Sequence, residues 1–391
     1  MALSLAGRVL AGRRLVRGEV AVADGRIAGS AGRRSRRVLP EGWIVAPGLV
    51  DLQLNGYAGV EVDGGPEALE TIAAALPAIG VTAFCPTLIS RSEAGYRRAA
   101  SALAECANWP EGARPIGTRP TAARILGVHL EGPFLAPERA GAHPVAALRD
   151  PAPEAVDRLL DVFAPAIVTL APERPGGLEA VRRIARRGVV AALGHTDADA
   201  TMGRAAIDAG ARLMTHALNA MRGIESRRPS ALVAFLADPR ARISLIADGV
   251  HVAPEVATVL ARAAGRRLVL VSDAAAPAGS PAGRYRLGPR VVVSDGRRVT
   301  WRGGLAGSAR GLDQGPRTLA AGGLGGAAAL AAAAWAPRRL LGLPSGLEPG
   351  APADLVVLDA GLVPRLTLVD GVVAHADAGL PLDIPDRGTA V

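Results

Sequence analysis

The 391-residue chain has no lysine, so all 45 of its basic residues are arginines. The absence reflects compositional bias and carries no function by itself. The arginines are scattered, with no basic stripe and no aromatic stacking platform, which argues against a nucleic-acid partner despite a net charge of +9. Aromatic residues make up only 3% of the chain, so the core must be built from Ala, Val and Leu. The two cysteines, Cys85 and Cys106, are too few for a disulfide framework and fit a reducing cytoplasm. Long hydrophobic runs are also missing. The most apolar stretch, Gly322 to Trp335, is Gly/Ala-rich and too weakly hydrophobic to span a bilayer, so no membrane partner is expected. The start, Met1 to Leu10, lacks a charged leader region and reads as a strand.

What is present is ample apolar material: 49% of residues are hydrophobic and 21% charged, enough for one large domain plus a small one. Both ends read as short strands between Gly and Asp turns: Gly7-Leu10, Glu19-Val22 and Arg26-Ala28 at the start, Asp354-Leu358, Leu366-Val369 and Val372-Ala374 at the finish. Residues 1–45 and 350–391 are therefore expected to form one small β-sandwich domain. The middle, 46–349, repeats a different pattern. Eight apolar runs recur at Ile44-Leu54, Val81-Leu88, Ile125-Leu130, Ala166-Leu170, Val189-Leu193, Leu213-Thr215, Ile243-Ala247 and Leu268-Ser272. Continuous apolar runs mark parallel strands covered on both faces. Amphipathic stretches of helical length separate most of them, among them Glu67-Ile79, Glu154-Phe163, Leu178-Arg187, Ala200-Ala209 and Pro254-Ala264. Eight βα units over this length predict an α/β fold with a (β/α)8 TIM barrel; a doubly wound open sheet is the runner-up.

Five of the six histidines fall at the C-terminal end of a predicted strand or in the loop after it, where barrel enzymes build their sites. Glu131, His195 and His216 end strands three, five and six. Two imidazoles and one carboxylate converging there suit a catalytic metal that keeps one position open for water. His129 lies two residues before Glu131 and points to the same face, as a fourth ligand or as a buried support. Asp273 closes strand eight. Its place at the end of that strand favours a carboxylate that moves a proton from a water to a leaving amine; a helix cap is the other reading, and the two are compatible.

Several stretches carry a resemblance. They are Pro47-Gly48-Leu49-Val50-Asp51, Gly127-Val128-His129-Leu130-Glu131-Gly132-Pro133-Phe134, Gly141-Ala142-His143, Gly194-His195-Thr196, Thr215-His216-Ala217-Leu218-Asn219-Ala220-Met221, Asp248-Gly249-Val250-His251, Val271-Ser272-Asp273-Ala274 and Leu305-Ala306-Gly307-Ser308. In this order they resemble the N-acetylglucosamine-6-phosphate deacetylases of the amidohydrolase superfamily. The resemblance implies one divalent metal on Glu131, His195 and His216, with zinc first and iron, manganese or cobalt as alternatives. It implies Asp273 as acid/base and His143 as the group that polarises the acetyl carbonyl. Asn219, Ala220 and Arg227 would meet a sugar phosphate, with Arg228 able to replace Arg227. His251, Ala142, Leu305, Ala306 and Ser308 would meet the sugar or acetyl group. A homodimer is implied, with Arg227 reaching a partner's site.

Many amidohydrolases carry His-x-His on the first strand for a second metal, but here those places are Gln53 and Asn55, so one metal is expected. The expected activity is hydrolysis of N-acetylglucosamine 6-phosphate to glucosamine 6-phosphate and acetate. Rivals are another amidohydrolase activity, on a different N-acyl amino sugar or a cyclic amide, and a non-catalytic sugar-phosphate-binding protein. Cyclic-amide or dipeptide hydrolysis loses ground because such enzymes commonly need the paired histidines and often a carbamylated lysine, and this chain has neither.

Overall fold

The computed structural model describes residues 2–29, 36–106 and 121–391; the Cys106 side chain lies outside that set. Eight parallel strands run in sequence order around a barrel: Leu49–Leu54, Val81–Ile89, His129–Glu131, Ile167–Leu170, Val190–Leu193, Leu213–Met214, Arg242–Ile246 and Leu268–Val271. The last returns to the first through backbone bonds just beyond its end, Asp273 N–H to Gln53 O at 2.9 Å and Asn55 N–H to Ala274 O at 2.8 Å. The predicted barrel is therefore found and the open sheet is not. Val50, Leu52, Ala83, Cys85, Ile167, Ala192, Leu213, Ile246, Val269 and Val271 pack into one buried cluster. They come from every barrel strand but the third, and only a barrel interior brings such residues together. Ala336 joins this cluster, and Leu340 of the short helix Ala336–Leu340 packs against it.

The predicted run Ile44-Leu54 is two strands. Ile44–Pro47 pairs antiparallel with Leu355–Leu358, while Leu49–Leu54 enters the barrel. Gly48 separates them. A Cβ there would stand 2.2 Å from the Thr82 side chain, so only glycine lets the chain cross between sheets against the second barrel strand. Both halves are equally apolar, which is why hydrophobicity alone runs them together.

The terminal strands Ala2–Ala11, Arg14–Ala23, Arg26–Ala28, Arg36–Val38, Ile44–Pro47, Leu355–Leu358, Pro364–Val369 and Val372–Ala376 make one eight-stranded sheet. It encloses its own core of residues such as Leu5, Val22, Val45, Leu355, Leu366 and Val373. The helices on the barrel's outside match the periodic stretches closely. Pro153–Phe163 and Pro254–Ala264 begin on proline, whose fixed φ suits a first helical turn. Ala200–Ala209 begins on Asp199, whose carboxylate accepts Met202 N–H at 2.8 Å.

A further sheet has no counterpart in the predicted strands. After the eighth barrel strand, Gly283–Leu287, Arg290–Ser294, Arg298–Trp301 and Gly304–Ser308 form a four-stranded antiparallel sheet. It brings Leu305, Ala306 and Gly307 to the barrel mouth.

Candidate active site

A cavity of about 310 Å³ opens at the C-terminal end of the barrel. Glu131, Ala142, His143, His195, His216, Asn219, Ala220, His251, Asp273, Leu305 and Ala306 line it, together with Asn55, Arg139 and Gly307. Of the residues expected here from sequence, Arg227 and Ser308 are not in the wall. Arg227 is exposed on the 222–229 loop. Ser308 is buried, and its hydroxyl is turned away toward Asp248.

Glu131, His195 and His216 form the metal-type cluster. Glu131 Oε1 stands 2.9 Å from His216 Nε2 and 3.3 Å from His195 Nε2, and the two Nε2 atoms are 3.1 Å apart. Ligands bound at about 2.0–2.1 Å around a tetrahedral cation lie roughly 3.4 Å from each other, so this triangle is close to one face of such a site. Two imidazoles and one carboxylate, all lining the cavity, are a donor set that fits a divalent cation. Second contacts set the ring orientation. His195 Nδ1 donates to Arg139 O at 2.8 Å, which leaves Nε2 with its lone pair toward the cluster. Burial works against the Glu131 carboxylate, but the His143, His195 and His216 rings that face it outweigh that and hold the carboxyl well below its usual range. His129 is not a fourth ligand. Both its ring nitrogens are engaged elsewhere, Nδ1 with Leu52 O at 2.9 Å and Nε2 with Thr169 Oγ1 at 2.8 Å.

Asp273 projects from the backbone end of strand eight with φ of 49°. His195 and His216 also have positive φ, at 49° and 28°. Non-glycine residues in this region cost on the order of 1 kcal/mol each and gather where a site needs its side chains aimed. The first-strand amides that replace His-x-His hold Asp273 in place. Asn55 Nδ2 donates to Asp273 Oδ1 at 2.7 Å, and Gln53 Nε2 donates both to Asp273 Oδ1 at 3.2 Å and to Glu131 Oε1 at 3.0 Å. Burial, and then the neighbouring Glu131 charge, raise the Asp273 carboxyl to about 6.

His143 is oriented by Ser90, a residue the motifs did not single out. Ser90 N–H donates to His143 Nδ1 at 3.1 Å, and Ser90 Oγ lies 2.9 Å from the same nitrogen. An accepting Nδ1 places the ring proton on Nε2, which points into the site 3.6 Å from Glu131 Oε2. Burial, followed by the nearby His195, lowers the His143 pKa to about 4, so the ring is a neutral donor at neutral pH. At the other side of the cavity, positive φ at Leu218 and Ala220 shapes the 216–220 loop. Such alternating backbone turns present successive N–H groups to an anion. The Asn219 side chain is pinned to its own loop, donating to His216 O at 3.1 Å.

The chain also resembles known proteins over most of its length. The model of the Amidohydrolase family matches residues 44–376. The N-acetylglucosamine-6-phosphate deacetylase of Homo sapiens is 36% identical over 95% of both chains. An N-acetylgalactosamine-6-phosphate deacetylase of Escherichia coli O157:H7 is 35% identical, over 85% of this chain and 88% of its own. Among solved structures, a mutant N-acetyl-D-glucosamine-6-phosphate deacetylase from Mycobacterium smegmatis, in complex with N-acetyl-D-glucosamine-6-phosphate, superposes with a TM-score of 0.87. It shares 36% identity, over 95% of this chain and 99% of that one. The barrel thus sits in a known lineage, and the chain belongs to the amidohydrolase family, alongside the amino-sugar-6-phosphate deacetylases.

Proposed function

We propose that this protein removes the acetyl group from N-acetylglucosamine 6-phosphate, giving glucosamine 6-phosphate and acetate. One observation carries the reading: Asp273, His143 and the Glu131–His195–His216 triangle face a single cavity. Glu131, His195 and His216 would hold a divalent cation, zinc by the chemistry of two imidazoles and a carboxylate, which would supply Lewis acidity there. Asp273, held by Gln53 and Asn55, accepts the proton of the attacking water. His143 donates through Nε2–H to the carbonyl oxygen as negative charge develops there. Asp273 then returns the proton to the sugar nitrogen as the C–N bond breaks and acetate leaves.

Asn219 and Ala220 receive the phosphate through the 216–220 loop, and His251, Ala142, Leu305 and Ala306 receive the sugar and acetyl group. Arg227 lies outside the cavity of its own chain. We place it in the partner subunit's cavity within a homodimer, as a guanidinium clamp on the phosphate. Residues 1–45 and 350–391 serve as a small β domain beside the hydrolase unit of 46–349. The protein acts in the cytoplasm; among the described residues no helix is long and apolar enough to cross a membrane. The test is acetate release from N-acetylglucosamine 6-phosphate beside N-acetylgalactosamine 6-phosphate, since relatives are named for each. A higher kcat/KM on the gluco epimer is expected. A metal-loaded protein that hydrolyses neither would reject the reading.

A further inference from the structure

Behind the cavity wall, one buried carboxylate serves two residues assigned to the sugar. Asp248 follows the seventh barrel strand and is 8% exposed. Its Oδ1 accepts the backbone N–H groups of Val250 and His251 at 2.8 and 2.9 Å, which shapes the loop. Its Oδ2 accepts two side chains, His251 Nδ1 at 2.9 Å and Ser308 Oγ at 2.8 Å. Burial works against this carboxyl, but the hydrogen bonds from the His251 ring and from the backbone outweigh it and hold it well below the ordinary range. Ser308 in turn donates its backbone N–H to Asp273 O at 2.8 Å and follows directly on the wall residues Leu305 to Gly307. The same two oxygens therefore tie the strand-seven loop, the inserted sheet and the residue that bears the acid/base carboxylate.

We infer that Asp248 is a positioning residue for substrate binding: it fixes the His251 ring with its proton on Nδ1 and Nε2 toward the cavity, and it holds Ser308 as a strut for the cavity wall. The inference rests on the proposed placement of His251 against the sugar. It also gives Ser308 a different task from direct contact. An acceptor at Oδ2 is required because the His251 Nδ1–H is a donor; the Ser308 hydroxyl can donate or accept. An asparagine at 248 can keep the two backbone bonds through Oδ1, but its amide would meet His251 Nδ1–H donor to donor, whereas the Ser308 hydroxyl can turn and accept it. The ring would then shift its proton to Nε2 and present the reversed polarity to the substrate, while the backbone stays in place.

The experiment compares Asp248→Asn, His251→Ala and the double variant, each metal-loaded, on N-acetylglucosamine 6-phosphate. For Asp248→Asn, KM should rise about tenfold while kcat changes less than about threefold, the pattern of lost binding common to ground and transition states. In the His251→Ala background, Asp248→Asn should cost no more than about twofold further, because the two act as one unit. An equal loss in both backgrounds, or a normal KM in Asp248→Asn beside an impaired His251→Ala, overturns the inference alone. An unchanged kcat/KM in His251→Ala shows instead that the ring does not meet the sugar, and removes the reading beneath it. If Asp248→Asn does not fold, 15N NMR of the imidazoles in the unaltered enzyme decides the case. The resonances that vanish in His251→Ala must show a protonated Nδ1, and an unprotonated Nδ1 refutes the assignment.

Discussion

Asp273→Asn separates proton transfer from everything else the residue does. Asp273 Oδ1 accepts Asn55 Nδ2 at 2.7 Å and Gln53 Nε2 at 3.2 Å. An asparagine can turn its own carbonyl oxygen to the same two donors, so neither buried amide loses its partner. Glu131, His195 and His216 keep their mutual geometry, since Gln53 Nε2 still reaches Glu131 Oε1. The variant should therefore fold, hold its metal and bind substrate. It cannot accept or return a proton. General acid–base catalysis by one group contributes roughly 10²–10⁴-fold, so kcat should fall by that factor, about 3–5 kcal/mol on the barrier. Asp273→Ala is the informative contrast. It removes the acceptor of two buried donors, each costing about 1–3 kcal/mol when left unpaired, so it should lower stability as well. The assay is acetate release, read beside bound metal by elemental analysis and the midpoint of urea unfolding. An Asp273→Asn enzyme with its metal in place and more than about a tenth of wild-type kcat would refute the assignment of proton transfer to this carboxylate.

Other perturbations test separate parts of the account. His143→Ala should keep its metal and lose about 10²–10³-fold in kcat, because the Nε2–H donor to the developing oxyanion is gone; a purely KM effect would argue against that role. Gly48→Ala should lower the urea midpoint by about 1–3 kcal/mol of stability, since its Cβ would meet Thr82 at 2.2 Å; an unchanged midpoint would mean that the two strands can part without cost. Glu61 is pushed up to about 7, first by burial and then by Asp63. Its carboxyl binds a proton more tightly folded than unfolded, so its contribution is complete below pH about 4.5 and is lost as pH rises through about 7. Glu61→Gln should flatten that part of the stability profile, and a profile identical to wild type would exclude the effect.

Much of this was legible in sequence for a physical reason. Strands buried on both faces leave unbroken apolar runs, and a barrel places its chemistry at their C-terminal ends, so Glu131, His195, His216 and Asp273 stood out as polar groups closing apolar segments. Other features left weaker marks. Gly48 hides a change of sheet inside a single apolar run. The four-stranded insertion mixes arginines into short apolar stretches, and its hairpin signal, Asp295-Gly296 between Val291–Val293 and Val299, is short. Gln53 and Asn55 were visible only as missing histidines; that their amides clasp Asp273 depends on three-dimensional placement. The tautomers of His143 and His195 are set by Ser90 N–H and by the Arg139 carbonyl, and backbone groups have no identity in a sequence. The Ser308 hydroxyl faces Asp248, a partner 60 residues away that spacing cannot reveal.

Anomalous scattering from a crystal of the enzyme grown with zinc tests the central claim most directly. A single strong peak is predicted, about 2.0–2.2 Å from a Glu131 carboxylate oxygen, His195 Nε2 and His216 Nε2, with Asp273 beside its open position. A peak held instead by Gln53 and Asn55, or no peak at these three side chains in active crystals, would contradict it.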